Sequence, residues 1–245
     1  MRTLQNIIDK TAKGKKMLSI LIDPDKSTAE HVKRIADLSN DNGIDCFFIG
    51  GSLLTNDIMN ECINILKKIS PIPVVIFPGN TMQINSNADA ILFLSLISGR
   101  NAEMLIGRHV IAAPYVRNTS LEVIPTGYML IESGTSTAVS YMSNTLPIPH
   151  EKDDIAMCTA MAGEMLGLKM IYMDAGSGAK DPVSLSMIAK VKENISVPLI
   201  IGGGIRNAET AMRIFKAGAD MIVIGTAVEN DTSFISELSK ITDRY

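Results

Sequence analysis

Tryptophan is absent from the 245 residues, and aromatic side chains make up only 4% of them. Proteins that grip single-stranded nucleic acid stack bases on aromatic platforms, so this composition argues against that class. Any run rich in lysine and arginine is also missing, and the formal net charge is −3, a poor match for a polyanion partner. Cysteine is scarce. Cys46, Cys62 and Cys158 lack the spacing of a zinc site, and three is an odd number for a disulfide framework. They read as reduced thiols of a cytoplasmic protein. Long apolar runs are lacking too: the first strong one, Met17 to Ile22, is far shorter than the roughly 18 residues that span a bilayer. Hydrophobic residues nevertheless reach 46%, which excludes a disordered chain, and fifteen methionines supply adaptable apolar packing. A small phosphorylated ligand stays compatible with the acidic balance, because backbone N–H groups and a metal ion hold phosphate without net basic charge.

A unit of short apolar run, glycine-rich or polar turn and helical pattern repeats along the chain. Apolar runs stand at 17–22, 46–49, 73–77, 90–94, 126–131, 169–173, 197–201 and 221–224. They read as near-continuous rather than alternating, as expected of parallel strands buried on both faces. Ser27-Thr28-Ala29-Glu30 has the form of a capping box, and the helix behind it carries Val32, Ile35 and Leu38. The next helix places Ile58, Cys62, Ile65, Leu66 and Ile69 on one face. A further helix is expected near 102–113, and Asp181-Pro182 reads as a helix start with Asp as cap. The closing helices carry Ala208, Ala211, Ile214 and Phe215, then Phe234, Ile235, Leu238 and Ile241. Between 78 and 89 the chain is too short and polar for a packing helix, and 133–149 is a long Ser/Thr-containing insertion of functional character. Eight such units make a single α/β domain over 1–245, a (β/α)₈ TIM barrel whose third helix is replaced by a short irregular segment. A doubly wound open sheet is the rival, although no G-x-G-x-x-G follows any strand.

In such barrels the chemistry collects just after the strands. The turns there hold Asp23-Pro24-Asp25-Lys26, Gly50-Gly51-Ser52, Pro78-Gly79-Asn80, Glu132-Ser133-Gly134, Asp174-Ala175-Gly176-Ser177-Gly178, Gly202-Gly203-Gly204 and Gly225-Thr226. Any one glycine could serve a tight turn, but the last three together suit phosphate held by backbone N–H groups. Asp23 ends an apolar strand, where a carboxylate must be solvated, paired or bound to metal, and Mg²⁺ could sit between it and Ser52. Asp174 could act as general base or as a carboxylate that steadies developing positive charge. Tyr172 shares its strand face and is either a substrate partner or a core aromatic. His31, His109 and His150 end no strand and read as structural or surface groups.

Five segments resemble the geranylgeranylglyceryl phosphate synthase family of prenyltransferases: Leu21-Ile22-Asp23-Pro24-Asp25-Lys26, Phe48-Ile49-Gly50-Gly51-Ser52, Tyr172 to Ala179, Gly202-Gly203-Gly204-Ile205-Arg206 and Ile224-Gly225-Thr226-Ala227. Each is weak alone, and the ordered set is specific. The resemblance implies transfer of a long polyprenyl group from its diphosphate to the C3 hydroxyl of sn-glycerol 1-phosphate, with Mg²⁺ as cofactor. Carried over, Asp23 and Ser52 would bind the metal. Tyr172, Met173, Asp174, Ala175, Gly176, Ser177, Gly178, Gly203, Gly204, Gly225 and Thr226 would hold glycerol phosphate, with Asp174 catalytic. Family members commonly carry Glu where this chain has Asp174, and some carry Lys where it has Leu21, which places it in the other branch. A homo-oligomer and a peripheral membrane contact for the lipid product are further implications. The prenyl trough is expected on the side of the Ser/Thr-rich loop, around Tyr128 to Ile131. The rival function is a phosphosugar isomerase of the histidine-biosynthesis type, with Glu132 as second catalytic group. A non-catalytic phosphate-binding protein is the third class.

Overall fold

The computed structural model describes residues 2–56 and 58–242. Eight parallel strands close into a barrel in chain order: β1 (Met17–Ile22), β2 (Cys46–Ile49), β3 (Val74–Ile76), β4 (Ala90–Leu96), β5 (Glu122–Leu130), β6 (Met170–Asp174), β7 (Leu199–Gly202) and β8 (Met221–Ile224). Around them lie α1 (Thr3–Ala12), α2 (Ala29–Asp41), α3 (Met59–Ile69), α4 (Arg108–Arg117), α5 (Ala138–Ser143), α6 (Asp153–Met165), α7 (Leu185–Lys192), α8 (Ala208–Ala217), α9 (Thr226–Asn230) and α10 (Phe234–Thr242). This is the expected TIM barrel, and no helix lies between β3 and β4. No described helix is long and apolar enough to cross a membrane.

Strand alternation divides the apolar residues into two layers. Phe48, Val75, Leu92, Tyr128, Tyr172 and Val223 fill the barrel interior, whereas Phe47, Ile49, Ile76, Ile91, Ile171 and Ile201 meet the helices outside. Both faces are buried, so the strands carry the continuous apolar runs seen in the sequence. Three aspartates pin the opposite, N-terminal end of the barrel. Asp45, Asp89 and Asp220 each accept an N–H near the start of a strand, from Leu18, Val74 and Leu199, each at 2.8 Å. Each also pairs with a lysine, Lys10, Lys67 and Lys192 respectively. These charge-assisted bonds tie adjacent strands at one level, which fixes register where a slip would turn every side chain to the wrong face.

Several expectations are corrected. β5 starts at Glu122, four residues before the apolar run at 126, because Pro125 interrupts the strand signal. The helix expected near 102–113 is a wide π-type turn over Glu103–Gly107 that continues into α4. Asp181-Pro182 does not start a helix: the Asp181 N–H bonds the Ser133 carbonyl, and Ser184 caps α7 by accepting from Met187 N–H. The buried face of α3 runs through Met59, Cys62, Ile63 and Leu66, one step round from the expected stripe. Residues 133–149 hold α5, opened by Thr137 and Ser140 in a reciprocal cap. Cys46 and Cys62 are buried and Cys158 exposed, all three as free thiols.

The cap of α2 is Thr28, whose hydroxyl accepts from His31 N–H at 3.2 Å, and not Ser27. The Ser27 hydroxyl is buried without a hydrogen-bond partner among the described residues. Thr28→Ala should therefore cost about 1 kcal/mol in urea unfolding. Ser27→Ala should stay within about 0.5 kcal/mol of the parent or stabilise it, since it removes an unpaired buried hydroxyl. The reverse order would restore the Ser27 capping box.

Candidate active site

A cavity of about 860 Å³ opens at the C-terminal end of the strands. Its floor comes from β6, whose register aligns Leu130 of β5, Asp174 and Gly202 of β7 at one level. Asp174 is 7% exposed. Such a carboxylate needs donors, and it has two: the Tyr128 hydroxyl donates to Oδ2 at 2.6 Å and the Gly176 N–H to Oδ1 at 2.7 Å. Burial pushes the Asp174 carboxyl above its ordinary value, while the two donors pull it partly back. Burial and the Asp174 charge hold the Tyr128 and Tyr172 phenols well above the usual range. Tyr128, Tyr172, Phe48 and Phe77 pack into one aromatic cluster, with Phe77 stacked on Tyr172 at 5.3 Å and edge-on to Tyr128 at 5.8 Å.

Beside Asp174 the loops after β6, β7 and β8 form a glycine cradle. Gly203 has φ of +81°, and a Cβ there would stand 2.6 Å from Gly176 N and 2.9 Å from Asp174 Oδ1. Only glycine fits so close a passage. Among the described residues, no group accepts from the Gly203 or Gly204 N–H, so both can serve an anion. Ser177 and Thr226 hydroxyls stand 3.4 Å apart across the cradle. Arg206 closes it from outside by donating to the carbonyls of Ala179 at 2.6 Å and Lys180 at 3.3 Å.

At the other side, Asp23 at the end of β1 lies against the β2 turn, where the missing side chain of Gly51 lets Oδ1 approach to 3.3 Å of an ideal Cβ. Oδ1 accepts from Asp25 N–H at 3.1 Å, and Oδ2 pairs with Lys26 at 2.9 Å. Burial alone would pull the Lys26 ammonium down, but Asp23, Glu229 and Asp25 outweigh it and raise the group. Ser52 lines the same cavity. One carboxylate and one hydroxyl on adjacent strands suit Mg²⁺, which takes few protein oxygens and completes its shell with water and phosphate. Among the described residues no group of three or more His, Cys, Asp or Glu side chains gathers to hold a metal by itself.

The structure thus brings Asp23, Ser52, Tyr172, Asp174, Gly176, Ser177, Gly178, Gly203, Gly204, Gly225 and Thr226 to one cavity. Met173 and Ala175 face outward into the helix-side core instead, and the Ala175 N–H is taken by the Gly202 carbonyl. Strand alternation requires this of residues flanking Asp174. Tyr128 is expected from sequence only beside the prenyl trough, not as a partner of Asp174: that meeting depends on the pairing of Tyr128 with Tyr172 across strands.

An apolar arm of the cavity runs along the outer face of β4, lined by Ile91 and Phe93, by Ala112 and Val116 of α4, and by Ile84. The absent helix after β3 leaves this face open. His109 forms part of the wall, edge-on to Phe93 at 4.5 Å with Nε2 3.4 Å from Ser95 Oγ, and burial lowers its pKa. The Ser/Thr-rich loop expected beside a trough does line the cavity, but little of the expected Tyr128 to Ile131 segment does. Tyr128 lines the cavity, as do Val139 and Met142 of α5, but Met129, Leu130 and Ile131 do not. Glu132 is exposed outside the cavity and accepts from His150 N–H at 3.4 Å, so it cannot supply an isomerase's second catalytic carboxylate.

A sequence profile of the PcrB family matches residues 11–242. The geranylgeranylglyceryl phosphate synthase of Chitinophaga pinensis is 53% identical over 234 residues, covering 96% of this chain and 93% of that protein. Its namesake from Spirosoma linguale is 50% identical, covering 95% and 93%. The crystal structure of (S)-3-O-geranylgeranylglyceryl phosphate synthase from Thermoplasma acidophilum, in complex with sn-glycerol-1-phosphate, superposes with a TM-score of 0.94 at 32% identity and covers all of both chains. A thiamine phosphate pyrophosphorylase from Pyrococcus furiosus, at 16% identity and a TM-score of 0.60, shares the barrel fold alone. With a profile match across nearly the whole barrel and relatives at half identity, this chain belongs to the PcrB family.

Proposed function

We propose that this chain is a geranylgeranylglyceryl phosphate synthase, which transfers a long polyprenyl group from its diphosphate to the C3 hydroxyl of sn-glycerol 1-phosphate. The products are an ether-lipid precursor and diphosphate. One observation carries the reading: a single cavity joins a glycine cradle, a buried carboxylate and an apolar arm, with Asp174 between the other two. The names of the relatives and the glycerol phosphate bound to the Thermoplasma protein support it.

In this reading the Gly203 and Gly204 N–H groups and the hydroxyls of Ser177 and Thr226 hold the phosphate. The other end of the glycerol then faces Asp174. The apolar arm excludes water from the donor chain, so the glycerol hydroxyl rather than water meets the allylic carbon. Asp174 receives the proton that this hydroxyl loses, with a basicity that burial has raised toward the working pH. Asp23 and Ser52 would hold Mg²⁺, and the bound ion would supply positive charge against the departing diphosphate. Lys26 stands beside them as a second cation. Three free thiols and the lack of a membrane-crossing described helix suit an enzyme of the cytoplasm.

Asp174→Asn should keep the fold by circular dichroism while kcat falls by about a hundredfold or more. Turnover near the parent value would remove the base. The parent's rate should drop on the acid side as Asp174 gains its proton, at a pH above that of an ordinary aspartate of about 4. Gly203→Ala tests the cradle: its Cβ would press on Gly176 N and Asp174 Oδ1. Calorimetric affinity for glycerol phosphate should weaken by about tenfold or more, the loss expected when charge-assisted contacts are broken. Unchanged affinity would move the phosphate elsewhere.

A further inference from the structure

The reading of Asp174 as base leaves a geometric problem, and its solution rests on that reading. Aspartate has a short side chain, with a single methylene between the backbone and its carboxylate. Both of its oxygens already accept short bonds from within the protein, at 2.6 Å and 2.7 Å. The carboxylate is 7% exposed, sunk between Tyr128, the Gly176 loop and Gly203. Beside it stands the Tyr128 phenol, itself 5% exposed, which lines the same cavity and gives its only proton to Oδ2. A phenol oxygen that donates still has lone pairs free to accept. Its ring cannot drift, since Phe77 meets it edge-on at 5.8 Å and Tyr172 packs at 5.5 Å.

We propose that Tyr128 is a proton relay for the transfer, receiving the glycerol proton at Oη while passing its own to Asp174. The step balances as follows. The bond from the allylic carbon to the diphosphate oxygen breaks, and the electron pair leaves with diphosphate. A lone pair of the glycerol C3 oxygen forms the new C–O bond. The proton of that hydroxyl moves to Tyr128 Oη, the former Tyr128 proton moves to Asp174 Oδ2, and the carboxylic acid later yields it to water. Tyr128 is regenerated within the step and never stands as a free phenolate. This agrees with the depth of its burial, which holds the phenol well above its usual range. A phenol hydrogen-bonded to a carboxylate can take a proton only as it loses one.

The titratable neighbours of Asp174 are Tyr128 on β5 and Tyr172 on its own strand, with Cys46 of β2 behind Tyr172. Tyr172 differs from Tyr128: no described group accepts its hydroxyl proton toward Asp174, and it lies against Gly202 instead. The signal invisible in sequence is the register that sets Tyr128 beside Tyr172 and Leu130 beside Asp174.

Tyr128→Phe keeps the ring packing and deletes the relay atom. Measured across pH in the presence of Mg²⁺, its kcat on the alkaline plateau should fall by about tenfold or more, the scale of lost general-base catalysis. Its calorimetric affinity for sn-glycerol 1-phosphate should stay within about threefold of the parent. A mere hydrogen-bond partner would behave differently: loss of its donor would move the acid limb of the profile upward and leave the plateau rate intact. A plateau within tenfold of the parent therefore overturns the relay, as does a loss of glycerol phosphate binding that accounts for the whole defect. Replacing Tyr128 by 3-fluorotyrosine, which retains the hydroxyl, should restore plateau turnover to within about threefold, and failure to do so also counts against it. Asp174→Asn measured alongside separates the two levels. If it is inactive while Tyr128→Phe keeps its plateau, the relay falls and the base stands; if it retains turnover, the base itself falls.

Discussion

The site depends on how β6 is paired. Its last residue, Asp174, stands level with Leu130 on one side and Gly202 on the other. From that level Tyr128 reaches Asp174 from inside the barrel, and the Gly176 N–H reaches it from the loop above. A carboxylate at the rim of an apolar core is tolerated only with such donors. Register is what supplies them, since a shift of one residue would send Tyr128 and Tyr172 into the outer layer. The three Asp–Lys pairs at the far end of the barrel tie β1 to β2, β3 to β4 and β7 to β8, whereas β6 is held by its own ladders to β5 and β7.

The second determinant is an omission. Where barrels of this kind place a helix after β3, this chain has residues 77–89 in turns and loop, and the outer face of β4 meets an open groove. Ile91 and Phe93, which would otherwise be ordinary helix-side packing, become the wall of the apolar arm. The cavity thus has two halves of opposite character. Glycine backbone and hydroxyls line one, aliphatic and aromatic side chains the other, and the carboxylate lies at their junction. That contrast is what a hydrophilic acceptor and a long apolar donor require of one site. The overall charge of −3 is no obstacle, since the cradle presents N–H dipoles rather than a basic patch.

Much of this was legible from the chain alone. Continuous apolar runs placed β1, β2 and β8 at their observed bounds, and the polar stretch after Phe77 announced the missing helix. The glycine turns marked the cradle because close backbone approach leaves few other choices. Local signals failed where a distant contact decides. Asp181-Pro182 has the chemistry of a helix start, yet its backbone packs under Gly204, and Ser184 caps the helix instead. Pro125 hid the first half of β5. The Tyr128–Asp174 bond and the β4 groove escape the sequence for one reason: both arise from pairing between strands and from a face that only the closed barrel defines.

The most direct measurement is the mass of the product. Purified protein would be incubated with Mg²⁺, geranylgeranyl diphosphate and either enantiomer of glycerol phosphate, and the lipid extract weighed by mass spectrometry. The predicted result is a prenyl ether of sn-glycerol 1-phosphate with release of diphosphate, and little or none from the other enantiomer. Intact diphosphate substrate, or a free prenyl alcohol from attack by water, would contradict an active site that joins the cradle, Asp174 and the apolar arm in one reaction.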